Sequence, residues 1–118
     1  LGEEYSRSVR VAGLIRRELS AMILKGEIKD PRVSAAVISG VKVTNDLGLA
    51  KVFFTTTITK DVDREDVLRG LESAKGFIKR ALWKRMKMKR AIDLRFEYDS
   101  SVERGYRIDD ILRDVRGE

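Results

Sequence analysis

Two groups of carboxylates and one long basic segment are the parts of this chain whose residue types and spacing could do chemistry. Asp61, Asp63, Glu65 and Asp66 crowd one short stretch, and Asp109 adjoins Asp110. Carboxylates this close could hold Mg²⁺ for phosphodiester cleavage. The rest of the sequence gives such a site little support. It contains no His and no Cys, so the commonest general base, the commonest metal ligand and the thiolate nucleophile are all missing. The acids also have an ordinary use. Asp61 or Asp63 suits a helix N-cap, Glu65 and Asp66 favour the positive end of that helix, and Asp109 and Asp110 read as the start of another. The expectation is a non-enzyme with no metal and no cofactor. A Mg²⁺-dependent nuclease using Asp61, Asp63 and Asp66 is the enzymatic alternative.

The basic segment carries more information. Residues 73–90 read SAKGFIKRALWKRMKMKR, and from residue 75 onward eight are Lys or Arg and none is acidic, in a chain of net charge +6. At 100° per residue, Phe77, Ile78, Ala81 and Leu82 gather on one side of a helix. Lys75, Lys79, Arg80, Lys84 and Lys87 gather on the other, with Trp83 among them. Arg85 is the misfit, to be explained by snorkelling or by a helix end. A solvated face is the plain alternative for a charged helix. Here like charges such as Lys75 and Lys79 repel at i,i+4 with no local acid to offset them, which favours a polyanionic partner. A membrane-surface role fits less well, because the apolar stripe is needed to cover a sheet.

The expected contacts are therefore phosphate contacts from Lys75, Lys79, Arg80, Lys84, Lys87, Lys89 and Arg90. Arg7, Arg10 and Arg17 on the first helix extend that surface. Trp83 could fold over the Lys stems or offer a stacking platform worth ~1–3 kcal/mol per base. Ser73, Ala74, Lys75 and Gly76 form a bend that opens the segment, where a glycine would let phosphate approach backbone N–H groups.

These residues need a scaffold. Residues 5–25 read as a helix with Val11, Leu14, Ile15, Leu19, Met22 and Ile23 on one stripe, capped by Gly26 and followed by a turn at Asp30-Pro31. Residues 36–44 and 49–58 read as strands, with Val37, Val41 and Val43 alternating in the first and Val52, Phe54 and Ile58 in the second. Asn45-Asp46-Leu47-Gly48 joins them as a hairpin turn. Phe53 falls on the opposite face from Val52 and Phe54. Val67, Leu68, Leu71 and Ala74 form a second helical stripe. Gly76 interrupts that stripe, and two short helices with a bend near Ser73–Gly76 are expected, since Gly costs about 1 kcal/mol inside a helix relative to Ala. Leu94, Phe96 and Tyr98 alternate as a third strand, and Ile108, Ile111 and Leu112 suggest a short C-terminal helix. The order α-β-β-α-α-β predicts an α+β domain spanning residues 1–118, with helices on one face of a three-stranded sheet. Strand order does not follow from the sequence. No apolar run approaches the ~20 residues of a membrane span, and the first ten residues hold no stretch resembling a secretory signal. The absence of Cys fits a cytoplasmic protein.

Several blocks together resemble a known family. They are Arg10 to Leu19 (RVAGLIRREL), Lys29-Asp30-Pro31-Arg32, Ala50-Lys51-Val52, Ser73 to Phe77 (SAKGF), Leu94 to Asp99 (LRFEYD) and Glu103 to Asp109 (ERGYRID). In this order they are similar to the ribosome-binding factor A family of bacteria. The resemblance implies a type II K-homology fold and a non-enzymatic assembly factor. Its implied partners are the small (30S) ribosomal subunit and 16S rRNA, bound late in maturation near the 5′ helix and decoding region, with special importance in the cold. It also implies a cytoplasmic protein, here expected to be monomeric, with no membrane and no small-molecule substrate. Ordinary K-homology domains clamp four nucleotides with a Gly-x-x-Gly loop. Ser-Ala-Lys-Gly keeps only Gly76, so broad phosphate contact by the basic helix is expected in place of that clamp. Trp83 and Ile92 stand where the family usually has a small residue and often a Pro. A general RNA- or DNA-binding module of the same fold, without a ribosomal role, is the alternative.

Overall fold

The computed structural model of the chain describes residues 3–57 and 62–101. Ile58, Asp61, the Asp109–Asp110 pair and the expected tail helix with Ile108, Ile111 and Leu112 lie outside the described residues.

The first helix, α1 (Glu3–Leu24), buries Ala12, Ile15, Leu19 and Met22 and half-buries Val11, Leu14 and Ile23. Gly26 ends it as expected. Its φ of +69° is a left-handed conformation that favours Gly, and its N–H donates to the Ile23 carbonyl while that of Glu27 donates to Met22. The next turn is more ordered than the sequence suggested. Asp30 caps a short 3-10 helix, Pro31–Ala35, by accepting the Arg32 N–H at 3.0 Å, and Pro31 fills the first position where no N–H is needed.

Strands β1 (Ala36–Val43) and β2 (Leu49–Thr56) pair antiparallel, and β3 (Asp93–Tyr98) runs parallel to β2, so the sheet order is β1-β2-β3. The hairpin turn is held by Asp46, whose carboxylate accepts from Thr44 Oγ1 at 2.7 Å and from the Gly48 N–H at 2.9 Å. The expected face of β1 is wrong at one end. The register slips between Ile38 and Gly40, so Ser39 is an extra residue and the alternation changes phase there. Ala36 and Ile38 are buried before the bulge, Val41 and Val43 pack on the core after it, and Val37 is left exposed.

Helices α2 (Arg64–Ser73) and α3 (Lys75–Met86) connect β2 to β3. Asp63 is the N-cap of α2, accepting the Glu65 N–H at 3.1 Å. The break between the helices falls at Ala74, within the expected Ser73–Gly76 bend. Ala74 (φ −88°, ψ 0°) is both the last cap of α2 and the first of α3, whereas Gly76 sits inside α3. The core joins Ile15, Leu19 and Met22 to Val52 and Phe54 of β2, Leu71 of α2, Ile78 of α3, and Leu94 and Phe96 of β3. Each such side chain contributes ~1.5–3 kcal/mol by leaving water. Helices over one sheet face in the order α-β-β-α-α-β make an α+β, K-homology-like fold.

Candidate nucleic-acid interface

The apolar stripe of α3 decides where its cations go. Burial of Ile78 and Leu82 turns Arg80, Trp83 and Lys84 outward. Phe77, expected in the core, is instead 42% exposed. It lines a groove with Ser73, Ala74 and the Lys29–Arg32 turn.

Acids from outside the helix reach several of its cations. Lys75 pairs at 2.8 Å with Glu72, a local acid three residues before it, and its Nζ lies 5.9 Å from the Phe96 ring centroid. Lys79 pairs with Asp93 at 3.2 Å. Arg85, the misfit of the helical projection, reaches back to Glu27 and Glu18 and ties the end of α3 to α1 and the turn after it. Arg85 holds the Glu27 carboxyl below its usual range, and Lys79 does the same for Asp93, in both cases chiefly through a hydrogen bond to the carboxylate. Part of the charge that looked uncompensated is thus structural. Arg80, Lys84, Lys87 and Lys89 make no ion pair with any described acid and are exposed.

Helix α3 ends in a turn that serves this surface. Lys87 adopts the left-handed conformation (φ 53°), and its N–H and that of Met88 donate to the Trp83 carbonyl. The Trp83 indole Nε1 donates in turn to the Met88 carbonyl at 2.5 Å, while 46% of the residue stays exposed. Trp83 is therefore latched to its own turn with part of its surface free. That reversal delivers Lys87, Lys89 and Arg90 to a groove of about 650 Å³ whose other wall holds Arg7 and Arg10 of α1. Five cations from two distant parts of the sequence share this groove. Arg90 donates to the Asp46 carbonyl at 3.2 Å, which fixes the turn on the hairpin. The Asp46 carboxyl is held low mainly by its bond from Thr44.

Not every expected residue belongs to this surface. Arg17 is exposed on α1 but lines neither this groove nor the smaller one formed by Gly76, Lys79, Arg80, Trp83 and Ala91. Ala74 is buried and shapes the bend, whereas Ser73 and Gly76 are exposed. An alanine Cβ at Gly76 would stand 3.3 Å from the Arg80 guanidinium, so the glycine keeps backbone and cation close together. Phe77 went unnoticed as a surface aromatic because its place in the projection is that of a core residue. Among the described residues no group of three or more acids could hold a metal ion, and no helix is long and apolar enough to cross a membrane.

Comparison with known proteins identifies the family and the fold. The family model described as ribosome-binding factor A matches residues 7–112. Ribosome-binding factor A of Aromatoleum aromaticum is 45% identical over 116 residues, covering 95% of this chain and 90% of the relative. That of Geotalea uraniireducens is 41% identical over 111 residues, covering 94% and 89%. That of Nitrosomonas europaea is 39% identical over 118 residues, covering 100% and 99%. Among solved structures, the crystal structure of ribosome-binding factor A from Thermus thermophilus superposes with a TM-score of 0.66 at 23% identity, covering 77% of this chain and 94% of that one. A homology model of the Thermus thermophilus factor, fitted into a cryo-EM map of its complex with the 30S subunit, gives a TM-score of 0.55 at 21% identity, covering 74% and 93%. At those identities the structural likeness speaks to the fold.

Proposed function

Since the chain belongs to the ribosome-binding factor A family, we propose that it binds the small ribosomal subunit through 16S rRNA, using the basic surface of α3 and the turn that follows. The observation that carries this reading is the meeting of Lys87, Lys89 and Arg90 with Arg7 and Arg10 in one groove, beside the unpaired Arg80 and Lys84. Phosphate contacts from such a surface supply affinity, and RNA shape supplies selectivity.

The factor acts by binding alone, as one domain and as a monomer in the cytoplasm. It holds an immature rRNA conformation by preferring it to the mature one, late in subunit maturation and processing. The role matters most in the cold, where alternative RNA pairings are slow to resolve. Gly76 and the free rim of Trp83 accept backbone and base, respectively.

The test replaces Arg80, Lys84 and Lys89 together by Gln and measures binding to free small subunits across a salt series. Each lost phosphate contact should lower the slope of log affinity against log salt by roughly 0.7–0.9, so the triple variant should lose about 2–3 units. Unchanged affinity and slope would remove α3 from the interface. Binding to naked RNA that is indifferent to the subunit would favour the general nucleic-acid module.

A further inference from the structure

The opposite face of the sheet carries a second, unassigned concentration of positive charge. Lys42 of β1 is the register partner of Lys51 of β2, and Lys51 is the partner of Arg95 of β3. Cross-strand partners share a face, and Val52, Phe54, Leu94 and Phe96 occupy the core face. The three cations therefore form a row across all three strands on the side away from the helices. Neighbouring strands are ~4.8 Å apart, so each cation lies within the ~8 Å Debye length of the next and the repulsion is poorly screened. Like charges directly opposite one another destabilise a sheet.

No ion pair compensates them among the described residues. Lys42 and Arg95 are exposed, Lys51 is half-exposed, and none of the three makes an ion pair. Two acids of β3, Asp93 and Glu97, flank Arg95 on this face, and neither pairs with the row. Asp93 is held by Lys79, and Glu97 is the partner of Phe53 and makes no ion pair. Phe53 lies on the same face, two residues from Lys51, half-buried between Gly40 and Glu97. A sheet face that offers an aromatic ring beside cations can stack an unpaired base and hold its phosphate. An acidic peptide would satisfy the charges but would have less use for the ring.

We propose that Lys42, Lys51 and Arg95, with Phe53, form a second site for single-stranded RNA on the open face of the sheet. The chain would then bridge two RNA segments, one on each side, as a clip between strands that a maturing subunit must keep apart or bring together. This rests on the RNA-binding reading of α3, and the two are separable by experiment.

The probe is a fluorescent twelve-nucleotide oligouridylate titrated into the full chain, with stoichiometry and salt slope measured. Two variants are compared with the unaltered protein: Lys42→Gln/Lys51→Gln/Arg95→Gln, and Arg80→Gln/Lys84→Gln/Lys89→Gln. The unaltered chain should take two oligonucleotides and each variant one. The sheet variant should lose about 2–3 units of salt slope. Its thermal midpoint should not fall, since it removes only repulsive neighbours, and circular dichroism checks this. A sheet variant that binds as many oligonucleotides as the unaltered chain overturns the second site and leaves the α3 reading to its own subunit-binding test. Loss of all binding in the sheet variant with none lost in the α3 variant would overturn the α3 reading and leave the sheet site standing.

Discussion

Lys79 Nζ stands 3.2 Å from Asp93 Oδ1, tying a cation of the basic helix to the first residue of β3. The same oxygen accepts the Leu94 N–H at 2.9 Å, so the carboxylate also starts the strand. Lys79 is thus partly neutralised on the surface it was expected to serve. Asp93→Asn keeps an acceptor for Leu94 and removes the charge. Affinity for small subunits should rise, and the salt slope should steepen by ~0.7–0.9 as Lys79 becomes free for phosphate. Filter binding over a salt series measures both. An unchanged slope would mean that Lys79 stays on the strand and is structural.

Acid should loosen the protein at the same carboxylates. Glu27, Asp30 and Asp93 are all held below their ordinary values, by Arg85, Arg32 and Lys79 respectively. A carboxyl with a lowered folded pKa binds a proton less readily folded than unfolded. Its contribution to stability is full above the ordinary value and disappears as pH falls through the folded one. These pairs are solvent-exposed, so each contributes little. Chemical denaturation should show a gradual loss of stability beginning near the ordinary values of 4.5 for Glu27 and 3.8 for the two Asp residues and continuing below them. In Glu27→Gln the decline should be shallower, since one of the linked protons is gone.

The elements were legible because their apolar spacing is strong. Ile15, Leu19 and Met22 on α1, and Leu94 and Phe96 on β3, are buried where their periods put them. The errors came where a single residue changes a phase or where distant parts of the chain meet. Ser39 adds one residue to β1, which moves Val37 to the outer face, and nothing in the local alternation marks the bulge. Phe77 has a core residue's projection, but the groove it lines is shared with the turn at residues 27–32, which the helical projection does not include. The positive charge was read from neighbours in sequence, whereas its partners Asp93, Glu18 and Glu27 arrive only through folding. The cationic row across the sheet depends on register, which alternation alone does not set.

Two glycines should respond oppositely to alanine. A Cβ on Gly70 would meet Arg32 Cβ at 3.0 Å and Val33 Cγ2 at 3.1 Å, where α2 presses on the 3-10 helix. Gly70→Ala should cost about 1–3 kcal/mol, as overpacking does. At Gly76 the only near atom is the mobile end of Arg80, at 3.3 Å. Gly76→Ala should stabilise α3 by about 0.5–1 kcal/mol. If phosphate approaches the backbone there, the same variant should bind RNA more weakly despite its greater stability. Paired urea denaturation and RNA titration would show this divergence, and an equal or improved affinity would exclude backbone approach at Gly76.

Lys87 holds a conformation better suited to Gly. Its φ of 53° closes α3, and few non-Gly residues sit there without strain. Lys87→Gly should raise stability by up to about 1 kcal/mol while removing one cation from the groove shared with Arg7 and Arg10. Subunit binding should weaken and the salt slope should fall by ~0.7–0.9. A gain in stability with no change in binding would assign Lys87 to the helix end alone.

Trp83 is the single Trp of the chain, so its fluorescence reports on one place. Its indole N–H donates to the Met88 carbonyl, and its exposed part stands beside Arg80 and Lys79. Those two roles can be separated. Trp83→Phe keeps a ring and loses the donor, so it should cost about 0.5–1.5 kcal/mol of stability, the usual worth of one hydrogen bond, and leave most of the RNA affinity. Trp83→Leu loses the π face as well and should weaken RNA binding further, by up to the ~1–3 kcal/mol that a stacked base contributes. In the unaltered protein RNA should quench the Trp83 emission in proportion to occupancy. Absent quenching, with Phe and Leu variants binding equally, would leave the latch on Met88 as the residue's whole role. Quenching with a graded loss from Trp to Phe to Leu would instead put a nucleobase on the ring, at the point where α3 hands its positive charge to the turn.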